Sequence, residues 1–193
     1  TVSYKVNKKY FKASFLVLYF FQEECMISAK IIVRALRLDF VMCSFLPYLF
    51  GALYFSTTIA LLPFLLGAAV VIATHISANL INDYADSRSG ADWHDTKYYK
   101  YFGGSKLIQH YIFSLSQYLF MAIFFAAAAL CAVATLAYVM GRGDIIILWG
   151  GACALSWMYS MKPVSFSYRY CGEGIVFILF GIAPVCAGAF LQN

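Results

Sequence analysis

Charge disappears from this chain in four long windows. No Asp, Glu, Lys or Arg occurs between Asp39 and Asp83, a run of 43 residues, or between Lys106 and Arg142, a run of 35. Two shorter windows cover 145–161 and 174–193. About 20 predominantly apolar residues cross the hydrocarbon core of a bilayer, so the windows hold two, one, one and one crossings. The predicted elements are five helices, over about 38–56, 59–81, 108–138, 145–161 and from 174 onward. Pro47 falls inside the first, where neighbouring helices can accommodate it in a membrane. Ser56-Thr57-Thr58 and Gly141-Arg142-Gly143-Asp144 are the turns that reverse the chain. The third helix is longer than one crossing needs, so it tilts or projects from the bilayer. The fold class is all-α, a polytopic transmembrane helix bundle.

Composition agrees with the pattern. Of 193 residues, 63% are apolar and 12% charged, about half the charge of a soluble domain. A soluble enzyme, a nucleic-acid binder, a coiled coil and a disulfide-stapled secreted domain are excluded. The net charge of +5 reads as topology. With these five crossings, the N-terminal region and the polar segments 82–106 and 162–173 share one face, which collects 13 of the 14 basic residues, Arg142 being the exception. That face is expected to be cytoplasmic, on the plasma (inner) membrane. The six cysteines contain no CxxC pair and read as small core hydrophobes.

Residues 1–25 stand apart. Their apolar stretch, Ser14 to Phe21, is too short to span and follows Lys5, Lys8, Lys9 and Lys12. Met26 precedes the basic lead-in to the first crossing (Lys30, Arg34, Arg37), so 1–25 reads as an upstream or appended segment and 26–193 as the membrane domain.

The chemistry concentrates just after the second crossing, in Asn79-x-x-Asn82-Asp83-Tyr84-x-Asp86-x-x-x-Gly90-x-Asp92. If the helix continues through it, positions 79, 82, 83 and 86 fall at i, i+3, i+4 and i+7 and line one stripe. Two amides and two carboxylates beside lipid are costly unless they face a polar cavity or a cation. Mg2+ suits them, since it binds through one or two carboxylates and takes its other ligands from water and phosphates. A merely polar loop at a helix end is the alternative. Downstream, the amides of Gly103-Gly104-Ser105 can approach a phosphate and Lys106 can supply charge to it, although Ser105 could equally cap a following helix. In the second polar segment, Lys162 and Arg169 could clamp a diphosphate or serve as boundary anchors beside Tyr159, Tyr168 and Tyr170. His75, His94 and His110 form no metal-binding spacing and read as structural, hydrogen-bonded histidines.

These three ordered motifs, with Tyr159-Ser160-x-x-Pro163 leading to Tyr168-Arg169-x-x-Gly172-Glu173 as the last, resemble the UbiA superfamily of intramembrane prenyltransferases. Within it they are most similar to the 1,4-dihydroxy-2-naphthoate polyprenyltransferase branch, over roughly 30–193. The resemblance implies a bundle of nine helices around a central cavity, with two acidic motifs holding polyprenyl diphosphate through magnesium. It carries Asn82, Asp83, Asp86 and Asp92 to the metal site, with Asp83 and Asp86 central to catalysis. Asn79 would support them, and Lys106, Lys162 and Arg169 would bind phosphate oxygens. The implied reaction ionises the allylic C–O bond, after which an electron-rich aromatic ring attacks the cation and loses its carboxylate, a step in menaquinone biosynthesis. A second DxxD motif does not occur after Asp92, so the chain is expected to be an N-terminal part of such an enzyme, inactive alone, with a C-terminal portion missing. Two other readings stay open: the same fold with another acceptor (4-hydroxybenzoate-like, porphyrin-type or glycerol phosphate), and a non-enzymatic bundle with a cation site.

Overall fold

The computed structural model describes residues 29–193. The chain divides at Ala35 into two compact units. Of the first, residues 29–35 are described, as a short helix. The readings made on residues 1–25 and on Met26 lie outside the described residues. Everything below concerns the unit Leu36–Asn193.

That unit is helical throughout, with no strand among the described residues beyond an isolated bridge between Tyr99 and Phe102. A 3-10 turn at Leu38–Phe40 leads into α1, Met42–Tyr54, which carries Pro47 within it. Then come α2, Leu61–Ser89, α3, Leu115–Met140, and α4, Asp144–Met158. Last is α5, Gly172–Phe190, whose middle stretch Phe177–Ile182 is wound as a π-helix.

Length separates these helices into two kinds. At 1.5 Å per residue, the 29 residues of α2 reach about 44 Å and the 26 of α3 about 39 Å, against a hydrocarbon core of about 30 Å. The 15 residues of α4 reach only about 22 Å. The five expected apolar helices are all present, as α1 to α5, and they differ in reach. Among the described residues three helices, α2, α3 and α5, are long and apolar enough to cross by themselves, and α4 is a shorter apolar helix. An uncharged window measures how far the chain travels without charge, and part of that distance here is spent in turns.

Boundaries follow from capping. α2 runs on to Ser89, and Gly90 stops it with a left-handed backbone at φ 92°. The helix predicted from residue 108 begins at Leu115, because Ser114 and Gln117 form a reciprocal capping box. Leu107 and Ile108 supply apolar character to a buried turn instead. Gly141, at φ 65°, closes α3 ahead of the expected turn into α4.

Packing is inside-out in the manner of a membrane bundle. Phe50, Leu61, Phe120, Phe124, Ile147 and Phe177 are all more than half exposed, a density of outward apolar side chains suited to lipid. Helix α2 packs most extensively on α3, and α1 on α5. Where α1 meets α5 two glycines let the backbones approach: a Cβ on Gly51 would collide with the carbonyl of Val185, and one on Gly188 with that of Tyr48. The core joins Tyr48, Ala68, Val70, Val133, Leu136, Ile145 and Leu191, and the Tyr48 hydroxyl donates to the Phe64 carbonyl at 2.8 Å. No disulfide forms among the described cysteines. Cys43, Cys131, Cys171 and Cys186 are exposed, which corrects their reading as core residues.

Candidate functional site

Because α2 continues as helix to Ser89, its last turns project beyond one crossing, and Asn79, Asn82, Asp83 and Asp86 do share a stripe there. Three of them, Asn82, Asp83 and Asp86, are then fixed by partners from elsewhere in the fold. Asp83 is 2% exposed; it accepts from the Ser105 backbone N–H at 2.9 Å and pairs with Arg37 at 3.4 Å. The Asn82 amide donates to Asp86 at 3.0 Å and to Ser160 Oγ at 2.6 Å. Asp86 also accepts from the Tyr168 hydroxyl at 2.6 Å.

The segment after α2 folds back against these carboxylates. Gly103 (φ 73°) and Lys106 (φ 60°) both take left-handed backbone, a conformation that costs a non-glycine residue about 1–3 kcal/mol and survives where surroundings over-determine it. Those surroundings are visible. Ser105 Oγ and the Tyr118 hydroxyl share a hydrogen bond of 2.6 Å, and Gln109 donates to Ser87 Oγ at 2.8 Å. Lys106, 5% exposed, reaches Asp92 at 2.6 Å. The capping role considered for Ser105 is thus replaced by contacts to Asp83 and Tyr118, and Ser114 caps α3. In this structure the Ser105 amide and Lys106, read as phosphate ligands, are turned toward carboxylates.

The second polar segment contributes differently from its prediction. Lys162 is exposed and precedes Pro163 through a cis peptide bond. Arg169, also exposed, donates to the Pro163 carbonyl at 2.8 Å, so it curls onto its own segment. Tyr168, read as part of an aromatic belt, is what reaches the acidic cluster. Burial and the bond to Asp86 push its hydroxyl pKa up to about 12. Sequence reasoning also missed Arg37 and Ser160 as cluster residues. Arg37 was visible as the last cation before the first apolar window, but nothing local marks it as the partner of a residue 46 positions away.

Next to the cluster lies a cavity of about 670 Å³, lined by residues of all five helices, α1 to α5. Arg37, Asn79, Asn82 and Tyr159 line its polar end, and the walls continue through Val70, Leu136, Leu179 and Phe190. Of the predicted residues, Asn79 and Asn82 face this space. His75 lines it as well, bonded through Nδ1 to Ser44 Oγ, and His110 Nε2 meets the Thr96 carbonyl at 3.0 Å.

The donor set suits a hard divalent cation. Asp83 and Asp92 face the same glycine: a Cβ on Gly104 would stand 2.6 Å from Asp92 Oδ2 and 3.2 Å from Asp83 Oδ1, so only the missing side chain leaves that space open. Among the described residues no three His, Cys, Asp or Glu side chains form a metal cage. Mg2+ does not require one, since substrate phosphates and water complete its shell. Three carboxylates, Asp83, Asp86 and Asp92, face two cations, Arg37 and Lys106. Asp86 is satisfied by neutral groups.

A helical membrane bundle whose acidic helix end stands over an apolar cavity is the class that fold and site define. No family model and no solved structure matches the chain. Among curated proteins it resembles the 1,4-dihydroxy-2-naphthoate octaprenyltransferase of Mycobacterium leprae (strain TN), 28% identical over 129 residues, which is 66% of this chain. The UbiA-type resemblance of its motifs thus has a sequence relative behind it. The match covers 41% of that relative's length.

Proposed function

We propose that this chain carries the diphosphate-binding part of an intramembrane prenyltransferase, which moves a polyprenyl group from its diphosphate to an aromatic acceptor. The acceptor is 1,4-dihydroxy-2-naphthoate, the step belongs to menaquinone biosynthesis, and the polar helix ends face the cytoplasm from the plasma membrane. One observation carries this reading: three carboxylates and two cations gather beside the polar end of an apolar cavity, joined to its wall through Arg37 and Asn82. A polyprenyl diphosphate has the same division, a highly charged head on a hydrocarbon tail. The tail gains by leaving water for the cavity, while the head stays at the polar end.

Asn82, Asp83 and Asp86, with Asp92 as the last member, would hold Mg2+. When bound with the diphosphate it supplies positive charge against the negative charge that grows on the leaving oxygens. The chain's own cations serve the same end. As the allylic C–O bond breaks, its electron pair departs with the diphosphate, and Lys106 and Arg37 are within the cluster that receives it. Arg169 and Lys162, exposed on the other polar segment, would engage the diphosphate only once it is bound, and Asn79 continues the stripe into the cavity wall. No protein nucleophile is needed, because the acceptor ring supplies the electrons for the new bond.

Binding is the appropriate test, since this sequence contains one acidic cluster and no transfer by the 193-residue chain is expected. In lipid nanodiscs the chain should bind polyprenyl diphosphate more tightly with Mg2+ than without. Asp83→Asn and Asp86→Asn should each weaken that binding at least about tenfold, a loss of about 1.4 kcal/mol. Magnesium-independent binding that both variants leave intact would overturn the reading. Ion flux across vesicles without any diphosphate would favour a cation site for transport instead.

A further inference from the structure

Most polar atoms in the cavity wall have partners inside the protein. The Trp149 indole N–H donates to Thr74 Oγ1 at 2.9 Å, and Ser156 Oγ donates to the Cys153 carbonyl at 2.7 Å. Two side-chain atoms of the wall do not: Asn79 Nδ2 and His75 Nε2 are buried with no hydrogen-bond partner. Asn79 already belongs to the acidic stripe. His75 does not; it lies eight residues before Asp83, about 12 Å further along α2.

Its ring is held firmly. Ser44 of α1 takes Nδ1, and Phe180, within the π-helical stretch of α5, stacks on the imidazole at 4.8 Å between centroids and 30° between planes. Such π turns recur at functional sites. His75 is 4% exposed, so Nε2 is withdrawn from bulk water while lining the cavity. Buried polar groups are nearly always hydrogen-bonded, and an orphan costs the fold the full desolvation of that group. An imidazole fixed on both sides, with one nitrogen unsatisfied beside an apolar cavity, has the form of a recognition point.

We propose that His75 Nε2 hydrogen-bonds a ring hydroxyl of the acceptor, with Ser44 as its positioning residue. The chemistry selects the group. A hydrocarbon tail offers Nε2 nothing. A carboxylate or carbonyl only accepts, and satisfies one tautomer of the ring. A hydroxyl both donates and accepts, so it pairs with Nε2 whichever nitrogen carries the proton. This rests on the prenyl-transfer reading for the identity of the ring, and its test is separable from that reading.

The test uses the whole chain in nanodiscs and two probes, 1,4-dihydroxy-2-naphthoate and 2-naphthoate, the same carboxylated ring without hydroxyls. Quenching of tryptophan emission follows binding, since Trp149 lines the cavity. The wild-type chain should prefer the dihydroxy ring by about tenfold, the discrimination of one good hydrogen bond. His75→Phe should reduce the preference below about twofold, His75→Gln should keep part of it, and Ser44→Ala should fall between. Magnesium-dependent binding of polyprenyl diphosphate should stay within about twofold in all three, which shows that they fold. An unchanged preference in His75→Phe, or no preference in the wild type, overturns the proposal. A preference that follows His75 while diphosphate binding fails everywhere would leave His75 as a ring-hydroxyl site and remove the transferase reading.

Discussion

The two polar segments, 82–106 and 162–173, look alike in sequence, each a short charged interval between apolar runs. In the structure they are opposites. The first begins as the projecting end of α2, and its return stretch is buried: Ser105 is 2% exposed, Lys106 5% and Leu107 0%. Asp83, Asp92 and Lys106 form a small polar core in which each charge meets a countercharge or a dipole, while 93–97 and 100–103 between them stay exposed. The second stays on the surface. Tyr170 is fully exposed, Arg169 folds onto its own backbone, and Tyr168 and Ser160 are the contacts that reach the cluster. Charge buried with fixed partners suits a site that must be preorganised. Charge left outside suits one that engages only when a ligand arrives.

The sharpest way to break this contrast is to remove the buried cation. Lys106→Met leaves Asp92 without its ion-pair partner in a largely enclosed place, where uncompensated charge costs about 3 kcal/mol or more. Thermal unfolding in detergent should show it, and a shift no larger than that of a surface lysine would mean that the first segment is not a core. Gly104→Ala should come next. Its Cβ needs space held by Asp92 Oδ2 and Asp83 Oδ1, so the carboxylates must part, at about 1–3 kcal/mol, with magnesium-dependent diphosphate binding falling in parallel.

Much of this was legible before the fold was known, for physical reasons. The apolar windows point to membrane helices because in lipid a backbone is satisfied only within a helix or a closed barrel, and these windows are far longer than a barrel strand of about 10 residues. Positions 79, 82, 83 and 86 share a face by helical period alone, so that stripe needed only the helix to continue. Illegible were the things decided across the chain. Arg37 and Asp83 are 46 positions apart, and Tyr168 and Asp86 are 82 apart. Within a segment, Leu107 and Ile108 lengthened the apolar window, though their side chains fill a buried turn, and the capping box at Ser114 decided where α3 starts. Orphaned His75 Nε2 has no counterpart in pattern at all, because hydrogen-bond satisfaction is a property of the packed state.

The exposed segment gives smaller effects. Lys162→Ala and Arg169→Ala should leave the melting temperature unchanged, both side chains being outside the packed structure. If they clamp a diphosphate, the double variant should lose about tenfold in its affinity, with a steeper loss at low salt where unscreened charge matters most. Equal affinity with and without them would reduce their role to anchoring at the membrane boundary.

Smallest is the effect of the tyrosine that ties the two segments together. Tyr168→Phe removes one hydroxyl from a half-exposed residue, and a single such bond contributes about 1 kcal/mol at most. Its pH signature is more specific than its size. An ordinary tyrosine titrates near 10, whereas burial and the Asp86 carboxylate raise Tyr168 to about 12. The folded state therefore holds that proton more tightly than the unfolded one, so the contribution is fully present below pH 10 and is lost as pH climbs from 10 toward 12. The tyrosinate absorbance missing from Tyr168→Phe should accordingly be a component with a midpoint near 12. A midpoint near 10 would mean that the hydroxyl is neither sheltered nor bonded to Asp86, and that Tyr168 does not tie the second segment to the cluster.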